Sequence, residues 1–579
     1  MPTVSALVAH TLSAHIDHVF GVMGNGNALF LDALDRTPTH YTAMRHEAGG
    51  VVAADAHFRA SGRLAAATAT YGAGFTNTLT PLAEAAQARV PVVLVVGDEP
   101  TTGSRPWDVD QIAMASGVGA RTFTVGRTDV VATTVLAIEH ALANRTVSVL
   151  AIPYDVAGLD VGEADGRSDD PARARDEEAE VATSAAALGA TLDALAVPAL
   201  RLPEPVTPKG EFATRVLAET VAALASARRP LLLAGRGAWL AGAGEALGAL
   251  ADATGALTLT TALGRGVFPD DRFDLGVAGG FGAEGSMQLV READVAIVFG
   301  ASLNQFTMRF GELFAPGTRV VQVDVAATAT HPNVGSFVRA DAAFVARALV
   351  AALGAVGAQS SGWRESVDVA AARAYEPGDA AALDGRLDPR SVAARIGELL
   401  PEDRVVVSDG GHFIGWANMY WPVASPDRMI MVGTAFQSIG LGFPSLPGAA
   451  LARPESTIVL TTGDGGGLMA LADLESAVRV AGGRGLAVVW NDAAYGAEVN
   501  LYGLKGLAEA PMRIPETDFA GLAAAFGAEG VVVRELADLD RLAEWTARPA
   551  HERPFLLLDC RISGAVIAPY QQEIIRVNS

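Results

Sequence analysis

The chain has 579 residues, enough for three or four domains of ordinary size, and half of them are apolar, so it can bury large cores and is not a disordered sequence. A formal net charge of −22 repels phosphate backbones, which excludes nucleic acid and anionic membranes as expected partners; Lys occurs only at 209 and 505. A single cysteine, Cys560, rules out an internal disulfide and a Cys-built metal site; the start, MPTVSALVAH, is unlike a signal peptide and no uncharged apolar run could span a bilayer, so a cytoplasmic location is expected.

Strand-like apolar runs alternate with Ala-rich helical segments along the whole chain. The first block holds VFGVMGNGNALF, RHEAGGVVAADAHF, ATATYGAGFTN, a strand VVLVVG (92–97), DVDQIAM and a strand SVLAIP (148–153). An acidic, Ala- and Pro-rich stretch with few aromatics (157–207) reads as an exposed connector. The second block carries PLLLAG (230–235), VAIVFG (295–300) and VVQVD (320–324), and a second break lies near 355–388. The third block carries RVVVSDG (404–410), TIVLTTGDG (457–465), LAVVWND (486–492) and FLLLD (555–559). Strand–helix alternation predicts parallel sheets covered by helices on both faces. The expected organisation is α/β, with three doubly wound parallel-sheet domains: 1–165, a linker 166–207, a central domain 208–352, a linker 353–388, and 389–579. Their similar sizes suggest three related sheets.

One segment carries specific chemistry. The strand TIVLTT runs into Gly463-Asp464-Gly465, a helical stretch follows, and a second strand, LAVVW, ends at Asn491, with twenty-five residues between Gly465 and Asn491. In a parallel sheet the carboxyl ends of neighbouring strands lie side by side, so a unit of this length brings Asp464 and Asn491 together. A carboxylate and an amide oxygen suit Mg²⁺ or Ca²⁺. The glycines, Gly466 included, let backbone N–H groups approach phosphate oxygens at a helix start. Ala493 is placed to add its carbonyl. A bare GDG turn is the competing reading, and the Asn at this spacing argues against it.

The pattern resembles the diphosphate-binding signature of thiamine-diphosphate enzymes. The first block, with RHEAG, the G-x-G-x-T-N segment at 72–77 and PVVLVVGD, resembles the N-terminal domain of the acetolactate synthase, pyruvate oxidase and 2-oxo acid decarboxylase family. The resemblance implies a pyrimidine-binding, a central and a diphosphate-binding domain. It makes Asp464, Asn491 and Ala493 the Mg²⁺ ligands and Glu47 the acid that holds the cofactor's aminopyrimidine ring, with His46 structural. MVGTAFQSIGLGFP aligns with the segment that bends the cofactor, which puts Ile439 in the wedge position and gives the backbone of Gln437 and Ile439 to the ring. SDGGHF aligns with the segment over the diphosphate, with Gly410 and Gly411 for close approach; His412 either faces the reaction or caps the loop.

The same resemblance points at the reaction through departures. Asn25 stands where pyruvate decarboxylases carry an acid, and Thr70 where benzoylformate decarboxylases carry a His. Gln111 aligns with the active-site Gln of acetolactate synthases. The arginine that takes the second keto acid's carboxylate in those synthases is displaced: Phe306 holds the position and Arg309 follows three residues on. The expectation is a carboligase acting on a 2-oxo acid with decarboxylation. The alternatives are a non-decarboxylating lyase or hydrolase of 2-hydroxyketones or cyclic 1,2-diones, and a simple decarboxylase. AGRG (234–237) leaves open whether the central domain binds FAD, ADP or nothing. In the family each site spans two subunits, so a homodimer or homotetramer acting on a small carbonyl substrate is implied.

Overall fold

A computed structural model describes residues 2–161 and 196–578; most of the predicted linker 166–207 therefore lies outside the described residues. All nine apolar runs form strands, within a residue or two of the expected limits. There are three six-stranded parallel sheets. The first comprises β1 (His18–Gly21), β2 (His40–Ala43), β3 (Ala66–Ala69), β4 (Val92–Asp98), β5 (Arg121–Thr124) and β6 (Val147–Pro153), in the order β2-β1-β3-β4-β6-β5. The second comprises β7 (Pro230–Ala234), β8 (Leu257–Thr260), β9 (Asp274–Val277), β10 (Val295–Phe299), β11 (Arg319–Asp324) and β12 (Ser336–Arg339), in the order β12-β11-β10-β7-β8-β9. The third comprises β13 (Arg404–Ser408), β14 (Met429–Met431), β15 (Thr457–Gly463), β16 (Gly485–Asn491), β17 (Glu529–Val533) and β18 (Leu556–Arg561), in the order β14-β13-β15-β16-β18-β17.

The expectation of three related sheets needs a correction. The first and third share one winding. The central sheet has the order of the dinucleotide-binding fold instead. Strands β4, β6, β7, β10, β15 and β16 are buried at every residue, which is why they read as unbroken apolar runs.

The described chain forms two compact units. One holds the first sheet with Val432–Glu455 and Leu468–Gly485; the other holds the second and third sheets. In the first unit the helix Glu47–Ser61 begins at the N-cap His46, whose ring Nδ1 accepts from the Ala48 N–H. The helix Gly442–Ala452 lies against it so closely that a Cβ on Gly448 would fall 1.9 Å from the Ala53 carbonyl oxygen. Beside it is a buried ion cluster: Arg59 pairs with Asp55 and, at 3.3 Å, with Glu84, all three at most 3% exposed. Glu84 also accepts the Phe436 N–H at 2.7 Å, which pins the loop that leads to Gln437 and Ile439.

In the second unit the C-terminal helix Pro569–Asn578 closes on the loops of the central sheet. Tyr570 packs edge-on against Phe281 and Phe306, and Arg309 is held by Glu573 and, at 3.0 Å, by Glu284. Among the described residues no helix is long and apolar enough to cross a membrane.

Candidate active site

In the first unit, the loops at the carboxyl ends of β1, β3 and β4 form a polar cup. Glu47 opens its helix, is partly exposed, and its Oε2 accepts from Asn77 Nδ2 at 2.9 Å. Thr70 stands next to it: a Cβ on Gly74 would lie 2.6 Å from Thr70 Cγ2 and 3.4 Å from Glu47 Oε1. Thr70 Oγ1 accepts from the Gly26 N–H at 2.9 Å, which ties the β3 loop to the β1 loop. Asn25 donates through Nδ2 to the Tyr71 hydroxyl at 2.8 Å. The structure thus brings Glu47, Thr70 and Asn25 to one rim.

Gln111 borders the same rim in another role. It is buried; its Oε1 accepts from the Gly72 N–H, and its Nε2 donates to the Gly97 carbonyl and to Asp98 Oδ1, at 2.9, 3.0 and 3.1 Å. Its amide is engaged in bracing the β3 and β4 loops. Gln437 has a left-handed backbone, φ 58, which turns the loop between Gly433 and the helix Gly442–Ala452; Ile439 is partly exposed.

In the second unit β15 and β16 are neighbours, so their ends, Gly463 and Asn491, lie side by side. Asp464, Asn491 and Asp492 are 2%, 0% and 6% exposed. Asp464 Oδ1 accepts from the Gly465 N–H at 3.0 Å, while its Oδ2 is buried without a partner. Asn491 Nδ2 donates to the Thr517 carbonyl at 3.1 Å and to Asp559 Oδ1 at 2.9 Å. Those two acceptors fix which way the amide points, and Asn491 Oδ1 is left buried and unpartnered. Asp492 Oδ1 is unpartnered too. Buried polar atoms are nearly always satisfied, so these three unpartnered oxygens at the ends of β15 and β16 are of a kind that fits a bound cation.

Electrostatics agree. Burial pushes the Asp464 carboxyl up to about 7 and the neighbouring Asp492 adds to this, while the Gly465 and Ala493 N–H groups and His412 pull it back. Such a carboxylate lacks its counter-charge. No group of three or more His, Cys, Asp or Glu side chains among the described residues is arranged for a metal. The unpartnered oxygens here belong instead to two carboxylates and one amide, hard donors of the kind Mg²⁺ takes. Ala493 has φ 59 and its carbonyl accepts from the Ile514 N–H at 2.9 Å, which leaves that oxygen one lone pair. The segment Asp464–Met469, with Gly465 and Gly466, starts a helix at this point.

His412 packs on the backbone of Gly496, where a Cβ would come within 2.3 Å of its ring, and its Nε2 meets Asp492 Oδ2 at 3.1 Å. Burial works against its protonation, but the hydrogen bond to Asp492 and the charges of Asp492, Asp464 and Glu498 outweigh it and hold its pKa above the ordinary value. Gly410 is buried at the end of β13 and donates its N–H to Asp409, and Gly411, φ 135, lies beside the Phe413 ring.

Sequence reasoning missed Asn77, Tyr71, Asp492 and Asp559. Asn77 was visible as the last letter of the G-x-G-x-T-N segment and Asp492 as the neighbour of Asn491. Asp559 carried no signal, because only the sheet order sets β18 beside β16. The AGRG glycines are used for packing: the Gly237 N–H donates to the Gly300 carbonyl at 2.9 Å.

Three family models match in series: "Thiamine pyrophosphate enzyme, N-terminal TPP binding domain" over 2–118, the central domain over 217–353, and the C-terminal TPP binding domain over 409–558. The chain belongs to the thiamine pyrophosphate (thiamine diphosphate) enzymes of the acetolactate synthase, pyruvate oxidase and 2-oxo acid decarboxylase family. Among curated relatives it is 25% identical to a probable acetolactate synthase large subunit of Methanocaldococcus jannaschii, over 81% of this chain and 76% of the relative. It is 26% identical to an acetolactate synthase of Mycobacterium avium, over 94% of this chain and 84% of the relative. It is 26% identical to a sulfoacetaldehyde acetyltransferase of Rhodobacter capsulatus, over 93% of this chain and 90% of the relative.

Proposed function

We propose that the protein is a thiamine-diphosphate- and Mg²⁺-dependent enzyme that decarboxylates a 2-oxo acid and joins the remaining acyl unit to a second carbonyl compound. The observation that carries the metal and cofactor part is the trio of buried oxygens without partners on Asp464, Asn491 and Asp492. In this reading Asp464 Oδ2 and Asn491 Oδ1 ligate Mg²⁺, with the remaining lone pair of the Ala493 carbonyl as a third protein ligand. Gly463, Gly465, Gly466 and Gly410, without side chains, let the diphosphate approach the backbone, and Gly411 gives the loop room. Ile439 and the backbone of Gln437 support the rings.

Thiamine diphosphate, when bound, supplies an acidic carbon that attacks a carbonyl and then stores an electron pair. The chain's own residues set up that step. Asn77 holds the Glu47 carboxyl so that it hydrogen-bonds the aminopyrimidine and moves the proton at its ring nitrogen. His412, hydrogen-bonded to Asp492, is a polar group beside the proposed diphosphate position. Thr70 and Asn25 face the reacting carbonyl, and Gln111 acts as a positioning residue through the loops it braces.

One observation favours an acceptor without a carboxylate. Arg309, the nearest match to the arginine expected for a second keto acid, is fully engaged by Glu573 and Glu284. A site shared between two copies is part of the proposal, and exposed Met23, Leu29, Trp107 and Ile112 on the first unit give such an assembly an apolar surface to bury.

A thermal melt with thiamine diphosphate and Mg²⁺ tests the cofactor. At a ligand concentration a hundred times Kd the native state gains about 2.7 kcal/mol. Asn491→Ala is expected to abolish the Mg²⁺-dependent part of that gain. An unchanged melting temperature in the wild type would remove the basis of the proposal. A panel of 2-oxo acids with aldehyde and keto-acid acceptors, read for CO₂ and for ligated product, then separates carboligation from simple decarboxylation and from cleavage without CO₂.

A further inference from the structure

The cup in the first unit contains a hydroxyl that the family alignment does not single out. Tyr71 follows Thr70 on the β3 loop, and its ring borders the β1 loop, where a Cβ on Gly26 would come within 2.6 Å of Tyr71 Cδ1. The phenol oxygen accepts from Asn25 Nδ2 at 2.8 Å. A phenol has one donor as well as lone pairs, so with one lone pair taken by Asn25 its proton is left to donate. No protein acceptor for that proton is found among the described residues.

The ring is packed by its neighbours. The Arg105 guanidinium lies 4.1 Å from the Tyr71 ring centroid and 4.7 Å from that of Tyr154, and the two tyrosines meet edge to face at 6.0 Å. Its Nε and Nη2 also reach the two oxygens of Asp108 at 2.9 and 2.8 Å, which sets the plane of the guanidinium over the ring. The same loop brings the Trp107 carbonyl over Gly72, where a Cβ would lie 2.9 Å away and where φ is +60°. These contacts fix the tyrosine before any substrate arrives, which is what a group that must orient a reacting carbonyl requires.

We propose that Tyr71 is the hydrogen-bond donor that holds the substrate's carbonyl oxygen, with Asn25 setting the direction of its hydroxyl and Arg105 fixing its ring. This rests on the proposed function and deepens it. It supplies a donor at the place where Asn25 and Thr70 replace the titratable acids of decarboxylating relatives, and it makes the substrate a carbonyl compound bound through oxygen at the rim of the first unit. Arg105 is a positioning residue in this scheme, and Asn25, at the same rim, also directs the Tyr71 hydroxyl.

The test uses the full-length holoenzyme and three readouts. Tyr71→Phe keeps the ring under Arg105 and removes only the hydroxyl. It is expected to lower kcat/KM for the best 2-oxo acid of the panel by about tenfold to a hundredfold. It is also expected to weaken calorimetric binding of methyl acetylphosphonate, a pyruvate mimic that cannot lose CO₂, by a similar factor. Its melting temperature, cofactor affinity and exchange of the bound cofactor's acidic C–H in D₂O, read by NMR, should stay as in the wild type, whereas Glu47→Gln should slow that exchange. Asn25→Ala should give a smaller loss in the same direction, and the double variant should be less than additive. Wild-type binding of the mimic by Tyr71→Phe overturns the proposal by itself. A fall in cofactor affinity or melting temperature in step with the activity also overturns it and makes Tyr71 structural. If the wild type binds neither the mimic nor any 2-oxo acid, the function on which the proposal rests fails, and the proposal fails with it.

Discussion

The first and third sheets are wound in the same order, yet their carboxyl edges are chemically opposite. At the first, polar side chains bond to one another and to the loops: Asn77 holds Glu47, Asn25 holds Tyr71, and Gln111 bonds the backbone of Gly72 and Gly97 and the Asp98 carboxyl. At the third, the equivalent edge keeps oxygens apart from any donor, on Asp464, Asn491 and Asp492. Identical topology therefore says where groups gather and nothing about what they do. In the function proposed above, one edge supplies oriented donors and acceptors for an organic ring and a carbonyl, and the other supplies the oxygens for a cation.

The sharpest way to break this contrast is at Glu47. If the first edge does acid–base work, Glu47→Gln should cut turnover by about a thousandfold while the melting temperature stays put. Retained turnover would reduce that edge to a packing surface.

Next comes the support behind it. Arg59 is buried between Asp55 and Glu84, and Glu84 reaches the Phe436 N–H. Arg59→Ala leaves two buried carboxylates uncompensated and should cost about 3–5 kcal/mol in chemical denaturation. Loss of under about 1 kcal/mol, the range of an exposed pair, would show that the cluster is not what holds this edge.

The smallest effect concerns the central sheet, at the buried carboxylate Asp274. Burial pushes Asp274 up to about 6, against the Gly276 N–H and the nearby Arg373 and Arg265, which pull it down. Its folded-state pKa lies above the unfolded one, so the native state binds more protons in between. Stability should therefore fall as pH rises from about 4 to about 6, by at most about 3 kcal/mol. Asp274→Asn should flatten that slope, and neither Mg²⁺ nor thiamine diphosphate should alter it. A slope that persists in the variant would assign it to another group.

Much of the molecule was legible. Long central strands such as TIVLTTG and GLAVVWN are apolar throughout because both faces are covered, and they announce themselves. Short strands did not: β3 is AATA and β1 is HVFG, four residues each, with no period to read. At the candidate site, Asp464 and Asn491 stood out by the spacing of their motif and Glu47 by the family resemblance of the segment around it. Tyr71 was not, since one tyrosine in a glycine-rich loop has no pattern until its neighbours are known.

By itself the amino-acid sequence determined the class of fold, the family, and the residue types able to hold a diphosphate and a metal. These depend on local periodicity and on short motifs, which are properties of neighbours along the chain. Only the tertiary structure decided that the central sheet is wound differently from the other two. It alone showed that Gln111 braces backbone, that Arg309 is locked by two glutamates, and that Asp559 turns the Asn491 amide so that its oxygen is free. Those facts depend on which strands lie side by side and which donor finds which acceptor across tens to hundreds of residues, and a hydrogen bond is settled by distance and direction in space.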